Sequence, residues 1–199
     1  SVSGRSDDSW RRRLQAQPTA RTCDGCQLCC TVMAIRELDK PAWTACAHLA
    51  SEGGCAVWGD HPPSCKSFTC LWRRSDSLLP AEMFPAGCGF MLAVDQLETW
   101  PTVVKVCAER TRPDAWNQPR WRELFSRLAA AWNCPVVVVE DGVRGAVAFA
   151  PGGRVYDRAA DPAVFPEDGR ELAVPAADYD PDRRAPAERI AEAGFRWDA

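Results

Sequence analysis

The apolar positions of this chain change rhythm near residue 76, and the two rhythms predict two kinds of structure. Beyond that point, short β-branched or bulky runs alternate with turn text. Cys88–Val94 (CGFMLAV) and Thr102–Cys107 (TVVKVC) are bounded by Pro or Gly and read as strands. Pro119 then opens a stretch in which Trp121, Leu124, Phe125, Leu128 and Trp132 recur at steps of three and four. That spacing gives one apolar face to a helix running to Asn133. Pro135–Val139 and Val143–Phe149 are separated by turn text containing Glu140-Asp141-Gly142, which predicts a β-hairpin. The order strand, strand, helix, strand, strand makes an α+β layer with the helix over one sheet face.

Before residue 76 the apolar pieces are too short for that architecture. Gly25, Gly53, Gly54, Gly59, Pro41, Pro62 and Pro63 interrupt them, and only Thr31–Leu38 reads as a short helix or turn, stopped by Pro41. The chain therefore divides into a flexible extension (1–22), a loop-rich module (23–75), the α+β body (76–150) and a Pro-, Asp- and Arg-rich tail (151–199). Within the tail, only Ala187–Ala193 reads as helix.

Composition changes the picture at one point. With 46% hydrophobic residues and nine tryptophans, a core of ordinary size needs no metal. Eleven cysteines exceed what that core requires, and eight of them lie between 23 and 70. Such density means either a disulfide framework or metal ligands in a reducing compartment. Arg11, Arg12 and Arg13 are followed by no apolar run of the kind a secretory signal needs. No stretch of about eighteen apolar residues is present to span a membrane. An odd cysteine count also fits a framework poorly, so the expectation is metal, in the cytoplasm.

Charge adds an exclusion. The net charge of −3 is uneven: residues 1–22 hold five Arg against two Asp, and 151–199 hold seven Arg against eleven acids. Residues 23–75 carry five charges of each sign. A nucleic-acid partner calls for a basic stripe on the folded part, and none is present in the sequence.

The chemistry is carried by Cys23-Asp24-Gly25-Cys26-Gln27-Leu28-Cys29-Cys30. Two cysteines three apart around a tight turn aim both sulfurs at one ion, and Gly25 supplies the permissive backbone. Cys46, Cys55, Cys65 and Cys70 follow, so eight thiols are available: four complete a tetrahedral zinc site, and eight complete two. The run Cys23, Cys26, Cys29 also matches the first three ligands of a ferredoxin-type iron–sulfur pattern, although Cys30 follows at once. Zinc ion and iron–sulfur cluster both remain open. Adjacent residues point in different directions, so Cys29 is expected to group with Cys23 and Cys26, leaving Cys30 for a second centre or for the surrounding shell.

Other candidates have simpler readings. Cys88, Cys107 and Cys134 stand among apolar residues and read as small buried hydrophobes. His48 and His61 read as surface or loop histidines, and Asp24 as a turn cap. Trp43, Trp58 and Trp72 flank the cysteines and are expected to shield the metal from solvent. Two histidines, both inside the cysteine segment, leave no Ser/His/Asp set and no catalytic residue to name.

Cys23–Trp72 resembles the zinc- or iron-chelating C-x-x-C-x-x-C-C family, often called YkgJ-like. Cys29-Cys30-Thr31-Val32-Met33, Glu37-Leu38-Asp39-Lys40-Pro41 and Cys46-Ala47-His48 carry the likeness, as do Gly54-Cys55-Ala56-Val57-Trp58 and Pro63-Ser64-Cys65 through Cys70-Leu71-Trp72. His61 and Lys66 stand where the family usually has arginine. The resemblance implies metal chelation in a cytosolic protein. A longer relative, flagellin lysine methylase, carries similar cysteine text and implies a metal-dependent protein-modifying enzyme as an alternative; no glycine-rich methyl-donor fingerprint accompanies it here. A third alternative is an accessory subunit whose N- and C-terminal tails dock a protein partner.

Overall fold

The computed structural model of the protein describes residues 20–23, 25–74, 76, 79–95, 100, 102–140, 144–165, 172–175 and 178. The body is a five-stranded sheet in the order β1 (Phe90–Asp95), β2 (Val103–Ala108), β3 (Val136–Glu140), β4 (Arg144–Phe149), β5 (Val155–Asp157). Neighbours pair antiparallel except β2 and β3, which run parallel. A parallel pair needs a crossover, and the helix Pro119–Trp132 supplies it. The helices before it are short: α1 (Leu28–Val32), α2 (Pro63–Ser67), α3 (Leu71–Arg74) and α4 (Pro85–Cys88), which makes Pro119–Trp132 α5.

Side chains alternate across the sheet, so one sequence builds two different faces. The first carries Phe90, Leu92, Val104, Val106, Val136, Val138 and Phe149, and α5 covers it with Trp121, Leu124, Phe125 and Leu128. Phe90 meets Trp121 and Phe125 edge-on at ring separations of 5.6 and 5.7 Å, and Phe125 meets Phe149 at 5.5 Å. Burial of each such ring contributes roughly 2 kcal/mol or more. Asn133 ends α5 in the left-handed region (φ 48°), its N–H returning to the Ala129 carbonyl.

The second face is shared. Val103, Val137 and Ala148 pack with Trp100, which lies between β1 and β2, with Tyr156 of β5, and with Phe165 and Leu172 beyond it. Met91 and Cys107 lie under Leu28 and Val32 of α1, with Cys26, Cys29 and Cys70 packed at the margin. The Trp43 indole N–H adds a hydrogen bond from the module to the Ala108 carbonyl of β2, at 3.3 Å. The cysteine module is thus seated on the sheet.

The coarse α+β class and all four predicted strands are present, with β1 starting at Phe90 rather than Cys88. β5 is an addition: Pro151-Gly152-Gly153 turns the chain back and Val155–Asp157 pairs with β4. In the module, the helix includes the vicinal cysteines (Leu28–Val32), and the predicted Thr31–Leu38 element is divided between it and a 3-10 turn at Arg36–Leu38. The predicted helix at Ala187–Ala193 lies outside the described residues, as does Asp24.

Arg21, within the predicted extension, is anchored to the body. The Arg21 guanidinium donates to the carbonyls of Trp72 (2.9 Å), Asp76 (3.0 Å) and Leu79 (2.7 Å) and stacks on the Trp72 ring at 4.6 Å.

Candidate metal centre

All eleven cysteines are free thiols, and the eight between 23 and 70 are half-buried. Local turns position them. Cys26 N–H closes on the Cys23 carbonyl at 2.8 Å, over Gly25 at φ 71°. Cys29 and Cys30 ride on α1, and Cys65 lies in α2, which Pro63 opens. Cys70 immediately precedes α3.

Several sulfurs receive backbone donors. His48 N–H points at Cys46 Sγ, 3.5 Å away. Burial is the main influence on Cys26 and raises its pKa, and the N–H groups of Leu28 and Ala86 oppose it. Burial pushes the Cys70 thiol up to about 11, with the N–H groups of Arg73 and Trp72 acting the other way. Cys26, Cys46 and Cys70 therefore each face an N–H two residues further along the chain, the placement a tight turn gives a sulfur that must carry negative charge.

The electrostatic neighbours of the thiols divide them. Cys29 senses Cys30, Cys26 and Cys23; Cys70 senses Cys23 and Cys26. Cys65 senses Cys30, Cys46 and Cys55. Cys23, Cys26, Cys29 and Cys70 thus form one neighbourhood and Cys30, Cys46, Cys55 and Cys65 another, with Cys30 also felt by Cys26 and Cys29. They meet at the vicinal pair. The Cys29 thiol hydrogen-bonds Cys30, which raises the pKa of Cys29 and, with help from Lys40, lowers that of Cys30 to about 7. Adjacent sulfurs on one helix turn therefore still reach each other, so the pair touches as well as faces two sets.

Lys40 was not visible as a site residue in the sequence. It is buried at 7% exposure, and its Nζ donates to the Met33 and Pro41 carbonyls. Burial lowers its pKa, while Cys46, Cys30, Cys29 and Cys65 act to raise it, so a cation stands beside the second set. Arg21 plays a similar part near Cys70. A lone lysine between Cys30 and Cys46 was the available signal.

Among the described residues, no group of three or more His, Cys, Asp or Glu side chains converges closely enough to hold a metal ion. The thiols neighbour one another but are not drawn to a common point.

The remaining candidates take the following positions. His48 contributes its backbone; His61 Nδ1 accepts the Gly59 N–H at 3.0 Å, and its ring stacks on Trp58 at 4.8 Å. Trp58 is 64% exposed, a correction to the expected three-tryptophan shell: it sits on a turn rather than against the sheet. Cys107 and Cys134 are buried, each thiol pushed up to about 12 by burial. Cys88 is half-buried at the end of α4, not in a strand, and its Sγ–H meets the Phe90 carbonyl at 3.1 Å.

Among the described residues, no helix is long and apolar enough to cross a membrane. Comparisons of the chain with protein-family models, with curated proteins and with solved structures give no match.

Proposed function

We propose that this is a metal-binding protein with two four-cysteine centres, Cys23/Cys26/Cys29/Cys70 and Cys30/Cys46/Cys55/Cys65, joined at the vicinal pair. The observation that carries the reading is that Cys29 and Cys70 neighbour Cys23 and Cys26, whereas Cys65 neighbours Cys30, Cys46 and Cys55, all of them free thiols. Backbone donors at Cys26, Cys46 and Cys70 and the buried Lys40 suit sulfurs that must ionise to bind metal.

The donor set fits either a zinc ion or an iron–sulfur cluster. Four thiolates leave zinc no open position, so zinc there serves folding; an iron–sulfur cluster supplies one-electron transfer. The chain's own residues do the rest. α1 holds the junction, Leu28 and Val32 fasten it to the sheet, and Lys40 offsets negative charge.

Anaerobic purification followed by elemental analysis and a visible spectrum tests the reading. The expected result is zinc or a cluster chromophore, at up to two centres per chain. Protein carrying neither, with disulfides mapped among Cys23–Cys70, would sink it.

A further inference from the structure

Cys23 opens the cysteine module and Cys70 comes near its end, so a centre that uses both must draw together the ends of a long loop. Closing such a loop costs chain entropy, and contacts elsewhere in the fold have to offset it. Arg21 stands two residues before Cys23, and Trp72 stands two residues after Cys70. Arg21 Nη1–H donates to the Trp72 carbonyl at 2.9 Å, across 51 positions of sequence. Nη2–H reaches the Asp76 and Leu79 carbonyls, and Cζ stands over the Trp72 ring. The Asp76 carboxylate lies 3.6 Å from Arg21 Nε and accepts the Ala20 N–H at 3.1 Å.

The receiving side is fixed to the body. Leu71 and Leu79 are buried in the main core, while the Trp72 indole donates to the Ala81 carbonyl at 3.2 Å and packs on Phe84. The Arg21 side chain is itself only 11% exposed. A planar fork with five donors serves several carbonyls and a ring face at once, which a single ammonium does not. The other four thiols are joined by bonds inside the module. Cys46 N–H meets the Cys30 carbonyl at 3.1 Å, Leu49 and Cys55 form a β-bridge, and Glu37 holds the helix of Cys65 at Ser64. The two sets therefore differ in what places them.

We propose that Arg21 is a positioning residue for the Cys23/Cys26/Cys29/Cys70 centre: by clasping Trp72, Asp76 and Leu79 it sets Cys23 beside Cys70. The inference rests on the two-centre reading and adds that one centre depends on a residue outside the module, whereas the other does not.

The test is the rate at which N-ethylmaleimide labels each cysteine of the metal-loaded full chain, read by peptide mass spectrometry. Circular dichroism and thermal melts are recorded on the same samples. In Arg21→Gln, Cys23 and Cys70 should label about tenfold faster than in the parent, the scale on which partners of metal ligands act. Cys46, Cys55 and Cys65 should keep their parental rates. Arg21→Lys retains a cation without the fork and should resemble Arg21→Gln; full protection in the lysine variant would reduce the effect to charge and overturn the inference. Tyr156→Phe, destabilised at a distance, should label like the parent. Unchanged labelling in folded Arg21→Gln, or equal acceleration at all eight thiols, also overturns the inference while the metal reading stands. A parent chain that carries no metal overturns that reading, and this inference with it.

Discussion

Glu37 holds Ser64 with both carboxylate oxygens: Oε1 accepts the Ser64 N–H at 2.9 Å and Oε2 accepts its hydroxyl at 2.6 Å. The contact joins the turn Arg36–Leu38 to the start of α2, and so connects the loop that carries Lys40 to the helix that carries Cys65.

Those bonds hold the Glu37 carboxyl below its ordinary range, the Ser64 hydroxyl being the largest cause. A depressed carboxyl contributes stability above its unfolded value, about 4.3, and loses it as pH falls through the lower folded value. Glu37→Gln should therefore lower the denaturation midpoint at pH 7, and the gap from the parent should close in acid. A gap that persists unchanged at pH 3 would show that the carboxylate charge is not what matters.

Single-cysteine substitutions distinguish two centres from one. Cys26→Ser and Cys65→Ser belong to different sets, so each should remove the metal of its own set and leave part of the total. Cys107→Ala should keep both centres and cost about 1–2 kcal/mol, as expected for trimming a small buried side chain. Elemental analysis of the three variants reads this directly. Complete loss from either serine variant would favour one shared centre.

The body was legible because its elements are long enough to show a period. The 3–4 spacing from Trp121 to Trp132 and the valine runs of β2 and β3 admit little else. β5 was not legible, since three residues carry no period. In the module, cysteine spacing gave the candidate residues, but their surroundings depend on contacts distant in sequence. Arg21 looked like part of a polar tail and is tied to Trp72 and Leu79. Lys40 was given no role by its local pattern and is buried among thiols.

Lys40 offers a prediction of its own. A buried ammonium beside four thiols is unfavourable alone and useful once they ionise. Lys40→Met should leave the body folded and reduce metal retention by the Cys30/Cys46/Cys55/Cys65 set during dialysis against a chelator. The other set should retain its metal longer. Equal loss from both would mean that Lys40 merely supports the loop through its bonds to the Met33 and Pro41 carbonyls.

The other cover of the same sheet face provides the contrasting case. Tyr156 donates its hydroxyl to Asp178 Oδ2, and both residues are buried. Asp178 also receives the Gly152 N–H on its carbonyl at 2.9 Å, so the contact closes the turn before β5. Tyr156→Phe keeps the ring but leaves a buried carboxyl without this donor, at a cost of about 1–3 kcal/mol. Burial, followed by the Asp178 bond, raises the phenol pKa. A raised folded value means that the contribution is complete below the unfolded pKa, about 10, and fades as pH rises through the folded one. The parent should therefore lose stability between neutral pH and alkaline solution more steeply than Tyr156→Phe. Because this contact lies in the second apolar cluster, away from α1, the variant should bind as much metal as the parent. Thermal melts across pH combined with elemental analysis check both halves, and loss of metal in Tyr156→Phe would show that the two covers of the sheet are coupled.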